Sequence, residues 1–469
     1  MYGDLSAKKL SAILGVVSIG AFMDGLDGAI VNVSLPHIAA DFNADLGLAS
    51  LVLTVYFIAL SGLMIIFGKA SAYTGTKRLF ITGIAVFTVS SIFCAASWSI
   101  EVLIFWRAVQ GVGAAMVAPS AIAIIAMQFP EEMRGRSLGV IAAASALAFA
   151  LGPVVGGLLT EFLSWHWIFL INLPIGVFTV IAAHYILSEN VPGTGKKFDY
   201  TGSAIFFTAM ALLVVPLSMA GRAGITDASI YLPLLGSLIL FTLFVFIEKR
   251  AEDPVMEPAM FLKRNFSLSV ASYMLMMLAY GGAILLLPFY FQALLEMGPG
   301  MAGIFLLVPS VVITVTSPLG GYFSDISGAR RVCSLSALVF FISFILMAFF
   351  AADTAIWFII MSLVVMGLGA GPFMSAGSSR IIEHADPNKR EIASGIMSTA
   401  IYFGSAIGTS LFTAIFMQSA GLTGEGRISP GISSELFVTG YESAFLFGVI
   451  CCAAVVIFSA LAGNKRKTG

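Results

Sequence analysis

Charged residues are scarce in this chain. Of its 469 residues, 10% are charged and 59% are hydrophobic, whereas soluble proteins average about 25% charged residues. A surface with so few charges cannot keep a chain of this length in water, so the composition excludes a soluble enzyme, a disordered protein and a secreted disulfide scaffold. The mean hydropathy of +1.00 supports the same interpretation. We predict a membrane protein that crosses the bilayer several times.

Sequence signals for disulfide, metal and nucleic-acid chemistry are also missing. Four cysteines lie in apolar runs without metal-ligand spacing, and we interpret them as small hydrophobic residues between helices: Cys94, Cys333, Cys451 and Cys452. The 24 basic residues nearly balance the 25 acidic ones, so no basic surface indicates a nucleic-acid partner. The sequence has neither a G-x-x-x-x-G-K-S/T phosphate-binding motif nor an H-E-x-x-H zinc motif. We therefore expect no enzyme activity, no metal and no cofactor.

Long apolar stretches, in contrast, are numerous. A helix needs about 20 apolar residues to cross a bilayer, and fourteen stretches of this kind, numbered here as spans 1 to 14, follow one another along the chain. They cover residues 10–36, 46–68, 79–97, 100–128, 137–160, 165–187, 201–219, 230–248, 266–292, 301–319, 332–352, 354–376, 392–417 and 441–462. An even number of spans predicts that both termini lie on the same side of the membrane.

The basic residues indicate which side that is. Cytoplasmic loops of membrane proteins collect lysine and arginine. If the N-terminus is cytoplasmic, 21 of the 24 basic residues fall on the cytoplasmic side, Arg222 and Arg427 fall outside, and Arg107 remains within span 4. We therefore predict a multi-pass protein of the cell membrane with both termini in the cytoplasm.

The two ends of the chain repeat each other. Five residues of the first half have an identical residue 256 positions later in the chain. Gly111 and Gly113 of span 4 correspond to Gly367 and Gly369 of span 12, and Arg134, Gly139 and Gly152 correspond to Arg390, Gly395 and Gly408. A second set, Gly68 and Gly75, recurs as Gly321 and Gly328. We predict an all-α fold with six-helix bundles at 1–187 and 266–469, and with spans 7 and 8 inserted between them in 188–265. This plan is typical of secondary transporters.

Four motifs make the chain recognisable. They are LDGAIVNVSLP at 26–36, RAVQGVGAA at 107–115, GPVVGG at 152–157 and WHWIFLINLPIG at 165–176. Together they resemble the fourteen-helix drug:proton antiporter branch of the major facilitator superfamily, and the likeness covers nearly the whole chain. The resemblance implies a major-facilitator-like fold and a monomer that exports amphipathic compounds by alternating access, in exchange for protons.

The resemblance also assigns residues to the substrate cavity or to gating. These are Asn32, Gln110, Gly111, Gly113, Gly152, Pro153, Gly156 and Gly157. Glycines four residues apart let helices approach closely, and an internal proline can bend a helix. Span 5 could therefore form a hinge or a seal between the halves, and plain helix packing stays open as the alternative.

Two short loops resemble the family's cytoplasmic gating loop. The residues concerned are Gly68, Gly75, Lys77, Arg78, Gly321, Asp325, Gly328 and Arg330. The resemblance implies an aspartate four residues after the first glycine, which would hold the halves together on the cytoplasmic side through charge pairs and a helix N-terminus. The first loop has Ala72 at this position, whereas the second loop keeps Asp325.

Charges inside the membrane are the sharpest functional signal, because each costs roughly 2.5–3.5 kcal/mol to insert. Three residues qualify: Asp24, Asp27 and Arg107. The aspartates are three residues apart and share one face of span 1. Asp27 lies about 13 Å from the predicted outer end of span 1, and Arg107 about 10 Å from that of span 4. We predict that Asp27 is the principal proton-coupling carboxylate, that Asp24 is secondary and that Arg107 tunes the pKa of Asp27. A static ion pair between Asp27 and Arg107 stays open as the alternative.

Two other functions are compatible with these observations. The first is a proton-coupled symporter that takes up a small solute on the same fold. The second is a membrane receptor or scaffold without transport activity, against which the repeated halves and the buried carboxylates argue. The partners expected for the preferred function are a small amphipathic substrate, protons and the lipid bilayer.

Overall fold

The computed structural model describes residues 7–189, 200–224, 226–250, 254, 256–386, 389–422 and 433–463, and all regular structure in these ranges is helical. The α-helices of spans 1 to 7 are Ala7–Asp41, Leu46–Thr74, Thr76–Ala95, Ile100–Gln128, Glu131–Phe162, Trp167–Leu170 with Asn172–Ile186, and Tyr200–Ala223. Those of spans 8 to 14 are Ala228–Glu248, Arg264–Phe289, Pro299–Ser327, Ala329–Ala348, Ile356–His384, Arg390–Ser419 and Ser434–Leu461. Fourteen segments of the described chain are long and apolar enough to cross a membrane, as predicted.

Some sequence predictions concern residues outside these ranges. They are the two chain termini and the basic residues Lys196, Lys197, Arg427, Lys465, Arg466 and Lys467. The predicted orientation in the membrane therefore stays a prediction.

Three spans differ from the prediction in detail. The helix of span 1 continues past Pro36 to Asp41, because a proline inside a spanning helix removes only one backbone donor and packed neighbours compensate for it. Span 6 consists of a short helix and a longer one that meet at Ile171. Span 9 ends in a π-helical turn, Tyr290–Leu294.

The packing of the helices repeats in the two halves. Span 1 packs extensively on span 5 as span 9 does on span 13, and spans 3 and 4 pair as spans 11 and 12 do. The halves meet along two boundaries, between spans 5 and 10 and between spans 2 and 13. Gly75 and Gly328, which are equivalent in the repeat, both have φ near 89° and both join two helices directly. The two-halved all-α fold is confirmed, whereas the bundle boundaries at 187 and 266 stay predictions.

The inserted pair of spans lies at one of these boundaries. Span 7 packs on spans 2 and 13, which belong to different halves, and span 8 packs on span 7. The Ser218 and Ser410 hydroxyls are 2.6 Å apart between spans 7 and 13. Arg222 at the end of span 7 forms an ion pair with Asp45 before span 2 at 3.5 Å. Span 7 therefore contacts both halves.

The close contacts between spans 5 and 10 lie at their predicted external ends. The Gly300 backbone N–H donates to the Glu161 carboxylate at 2.7 Å. A Cβ added at Gly157 would clash with the Pro299 carbonyl, so only glycine permits this approach. Toward the opposite end of span 5, a Cβ at Gly139 would meet nothing within 4 Å. The boundary between spans 5 and 10 is therefore closed at its predicted external end.

Candidate functional site

Asp27 lies at the centre of a buried polar cluster inside the first half. Its side chain and that of Arg107 are fully buried, and Arg107 Nη1 donates to Asp27 Oδ2 at 2.5 Å. Asp27 Oδ1 accepts from Gln110 Nε2 at 2.9 Å and from Asn172 Nδ2 at 3.1 Å. These three donors suit a carboxylate, and one of them carries the compensating positive charge.

The cluster joins five spans. Arg107 and Gln110 are one turn apart on span 4, and Nη1 of the arginine also donates to Gln110 Oε1 at 2.6 Å. Arg107 Nε donates to the Val52 carbonyl of span 2 at 3.1 Å. Gln110 Nε2 donates further to Ser91 Oγ of span 3 at 2.8 Å. Asp27 and Arg107, which the sequence places at similar depths in the membrane, are thus in direct contact. The surrounding hydrogen bonds hold both side chains in place.

Asp24 has different surroundings, although it lies only one turn before Asp27. It is partly exposed, whereas Asp27 is fully buried. The Tyr56 hydroxyl of span 2 donates to Asp24 Oδ1 at 2.7 Å. The Arg107 guanidinium carbon lies 4.2 Å from the centre of the same tyrosine ring. Tyr56 therefore contacts both Asp24 and the arginine that binds Asp27.

The other residues assigned to the cavity or to gating lie at helix contacts. The Asn32 side chain is buried and donates to the Gly28 carbonyl of its own helix at 3.2 Å. A Cβ at Gly111 would lie 2.7 Å from the Tyr56 carbonyl, and one at Gly113 would lie 2.7 Å from the Phe87 backbone nitrogen. These glycines therefore seat span 4 closely on spans 2 and 3.

The glycines of span 5 pack against two neighbouring spans. A Cβ at Gly152 or Gly156 would lie 2.5 Å from Ala29 or Ile30 of span 1. Gly157 faces span 10 instead, and the carbonyl of Pro153 contacts Gly303 of that span. The motif thus combines packing within the first half with closure against the second half.

The loop residues separate into two groups. Gly75 and Gly328 are the tight helix connections described above, Lys77 Nζ donates to the His184 carbonyl at 2.8 Å, and Arg78, Asp325 and Arg330 are exposed. Gly68 and Gly321 lie within spans 2 and 10. Asp325 forms no ion pair with any described residue, and the side chain of Ala72 lies outside the described part of the chain.

Sequence analysis missed three members of the site: Tyr56, Ser91 and Asn172. Each is a polar residue inside an apolar span, and Asn172 belongs to a motif already recognised in span 6. Polar side chains at membrane depth usually find partners inside the bundle, so this signal was present. Their partners depend on how each helix is rotated, which the hydropathy pattern of a buried helix does not specify.

Comparison with known proteins identifies the family. Residues 17–260 and 269–468 match the family model of the Major Facilitator Superfamily. A riboflavin transporter, RibZ of Clostridioides difficile (strain 630), is 32% identical over 455 residues, which cover 96% of this chain and 97% of the relative. Multidrug resistance protein 3 of Bacillus subtilis (strain 168) is 29% identical, over 93% of this chain and 88% of the relative.

Solved structures have the same fold. A bacterial homologue of the human lysosomal transporter Spinster, in an inward-facing and unoccupied conformation, has a TM-score of 0.72 at 13% identity and covers 98% of both chains. A variant of the peptide transporter POT has a TM-score of 0.68 at 15% identity, over 95% of this chain and 94% of that one. At identities this low, the similarity to these structures supports the fold and not the function. The chain belongs to the Major Facilitator Superfamily, whose members are transporters and not enzymes, and the predicted resemblance to its drug-exporting branch with fourteen spans is confirmed.

Proposed function

We propose that this transporter exports amphipathic compounds in exchange for protons. The observation that carries the proposal is a pair of carboxylates one turn apart in the middle of span 1. Asp27 is buried in an ion pair with Arg107, whereas Asp24 is partly exposed. A carboxylate inside the membrane is costly and marks ion or proton pathways. The multidrug resistance relative supports export as the direction.

The two carboxylates have different roles in this proposal. Asp27 binds Arg107, Gln110 and Asn172, and neither of its oxygens is left without a donor. An added proton would neutralise the partner of Arg107 and weaken these charge-assisted hydrogen bonds. Asp24 accepts one hydrogen bond and remains partly exposed, so a proton can reach it without dismantling the cluster. We therefore assign proton exchange to Asp24 in this conformation, and we assign to Asp27 and Arg107 the task of sensing that exchange.

The predicted orientation gives the cycle a direction. With both termini cytoplasmic, the closed contact between spans 5 and 10 lies on the outer side of a cell membrane. An amphipathic substrate would then enter between the cytoplasmic ends of spans 5 and 10, from the cytoplasm or from the inner leaflet. Proton entry from the outside after reorientation would return the carrier to this state.

Uptake of a small solute is the second candidate. The 32% identity to a riboflavin transporter, over nearly the full length of both chains, points to a single small solute as the substrate and leaves the direction of transport to be measured. Riboflavin itself is therefore one of the substrates to test. A symporter would move solute and proton in the same direction, whereas the preferred antiporter moves them in opposite directions.

Membrane vesicles of both orientations distinguish the two candidates. An antiporter accumulates ethidium, a fluorescent lipophilic cation, in inverted vesicles with an acidic lumen, and a protonophore abolishes the accumulation. A symporter instead accumulates radiolabelled riboflavin in right-side-out vesicles when the outside is acidic. The Asp24→Asn variant should fail in whichever assay the wild type passes. Transport that ignores the pH gradient in both assays would refute proton coupling.

A further inference from the structure

We infer that Tyr56 is a positioning residue that links the protonation of Asp24 to the buried Asp27–Arg107 pair. The inference rests on the proposed proton coupling. It follows from a single rigid side chain that touches two charged groups on two different helices.

The contacts of Tyr56 are specific on both sides. Its side chain is 1% exposed. The hydroxyl donates to Asp24 of span 1 at 2.7 Å, while the ring lies against the guanidinium of Arg107 in span 4, with 4.2 Å between ring centre and Cζ. A tyrosine has only two side-chain torsions, so a movement of the hydroxyl moves the ring as well. Arg107 also donates to the Val52 carbonyl, one turn before Tyr56 on span 2.

Protonation of Asp24 changes the first of these contacts. A hydroxyl donates a stronger hydrogen bond to a carboxylate than to a neutral carboxyl group. When Asp24 takes a proton, the Tyr56 hydroxyl loses this charge-assisted bond and the ring is free to shift beneath Arg107. Arg107 then loses part of its contact with the Tyr56 ring. Its hydrogen bonds to Asp27 and to the Val52 carbonyl of span 2 change as a result.

Other titratable groups near Asp24 must be separated from this effect. The second half contributes Tyr402 of span 13, which lies close enough to Asp24 to interact with it electrostatically. It forms no hydrogen bond with Asp24 among the bonds of the described residues. Tyr402 is therefore a matched control for Tyr56, since it is also a tyrosine close to the carboxylate.

The test is the pH dependence of substrate transport by Tyr56→Phe, which keeps the ring on Arg107 and removes the hydroxyl. We expect the pH midpoint of transport to rise by roughly one pH unit, because the charged form of Asp24 loses a hydrogen bond. Tyr402→Phe should leave the midpoint within about 0.2 units of wild type. In the Asp24→Asn background, Tyr56→Phe should cause no further change.

The outcomes separate this inference from the proposed function. If wild-type transport does not depend on pH, the proposed function itself is wrong. If wild type depends on pH and Asp24→Asn abolishes the dependence, but folded Tyr56→Phe keeps the wild-type midpoint, the role of Tyr56 is refuted. An equal shift in Tyr402→Phe would also overturn it, since the effect would then not require the hydrogen bond.

A separate set of contacts assigns a function to the linker between spans 8 and 9. We propose that this linker fastens spans 2 and 13 together at their predicted cytoplasmic ends, where the first repeat lacks a carboxylate. Lys69 Nζ of span 2 donates to the Pro254 carbonyl at 2.8 Å. Lys389, directly before span 13, forms an ion pair with Glu257 at 2.5 Å. The linker therefore contacts both halves within four residues of chain.

The internal repeat explains why a substitute is needed. Asp325 lies four residues after Gly321 in the second copy, whereas the equivalent position of the first copy is Ala72. Glu257 brings a carboxylate to the start of span 13 from a different part of the chain. Its hydrogen bond raises the pKa of Lys389, which favours the charged lysine that the ion pair requires.

Cross-linking between spans 2 and 13 tests this second proposal without any substrate. A Cβ at Gly395 would lie 3.3 Å from Ile65, so the pair Ile65→Cys and Gly395→Cys should form a disulfide readily, and the native cysteines are buried. Glu257→Gln should slow its formation several-fold, and the charge exchange Glu257→Lys with Lys389→Glu should restore it.

The neighbouring ion pair provides the control. Lys263 binds Asp386 at 2.6 Å on the same side of the protein, but both residues adjoin spans of the second half. Lys263→Gln should therefore leave the cross-linking rate unchanged. A wild-type rate in Glu257→Gln, no recovery in the charge exchange, or equal slowing by Lys263→Gln would each refute the role of the linker.

Discussion

Replacing Asp27 by asparagine should destabilise the protein far more than the same change at Asp24. An amide fills nearly the same volume as the Asp27 carboxylate. It cannot replace the interactions of that carboxylate, because Asp27 accepts from Arg107, Gln110 and Asn172. An asparagine turns an NH₂ group toward at least one of these donors and leaves the arginine without its negative partner.

The magnitude follows from the burial of the pair. Removing one partner of a fully buried ion pair costs about 3–5 kcal/mol, because the remaining charge is uncompensated. Asp24→Asn keeps an oxygen that can accept from Tyr56 and loses only the charge assistance, which costs about 0.5–1.5 kcal/mol. The two variants should therefore differ by about 1.5–4.5 kcal/mol.

Thermal unfolding of the purified protein in detergent measures this difference. We expect Asp27→Asn to melt several degrees below Asp24→Asn at neutral pH. Combining Asp27→Asn with Arg107→Met should recover part of the loss, since no lone buried charge then remains. If Asp27→Asn melts like wild type, or if the double variant loses the sum of the single losses, Asp27 and Arg107 do not act as the coupled pair described here.

Three further predictions concern other parts of the molecule. Cysteines placed at Gly193 and Gly469 should react only with reagents on the cytoplasmic side and one at Gly424 only from outside; labelling of Gly193 and Gly424 from the same face would contradict the predicted topology. Asp325→Ala should slow turnover in a transport assay while the protein stays folded and inserted, because the exposed carboxylate is expected to act in another conformation of the cycle, and normal turnover would remove this role. Asp45→Ala should lower the melting temperature more than Asp45→Asn, because Asp45 accepts from the Leu48 N–H as the cap of span 2 in addition to its ion pair with Arg222; equal losses would show that the cap contributes nothing.

The number of spans could be predicted because bilayer thickness fixes helix length. The contact between Asp27 and Arg107 could also be anticipated, since depth along a helix follows from counting residues. The roles of Tyr56 and Asn172 could not be predicted, because their contacts depend on helix rotation and on which helices are neighbours.

The glycines show the same division. Gly152 and Gly156 were recognisable as positions of close approach from their spacing. Their spacing does not say that they face span 1 whereas Gly157 faces span 10. The linker contacts of Glu257 were also beyond prediction, because a salt bridge between residues 132 positions apart leaves no local pattern.

Proton-driven transport in inverted vesicles tests the central claim most directly. With an acidic lumen, wild-type protein should accumulate ethidium against its gradient, a protonophore should release it, and Asp24→Asn should show neither effect while remaining folded and inserted. Equal accumulation by wild type and Asp24→Asn, under the same pH gradient, would contradict the assignment of proton exchange to Asp24.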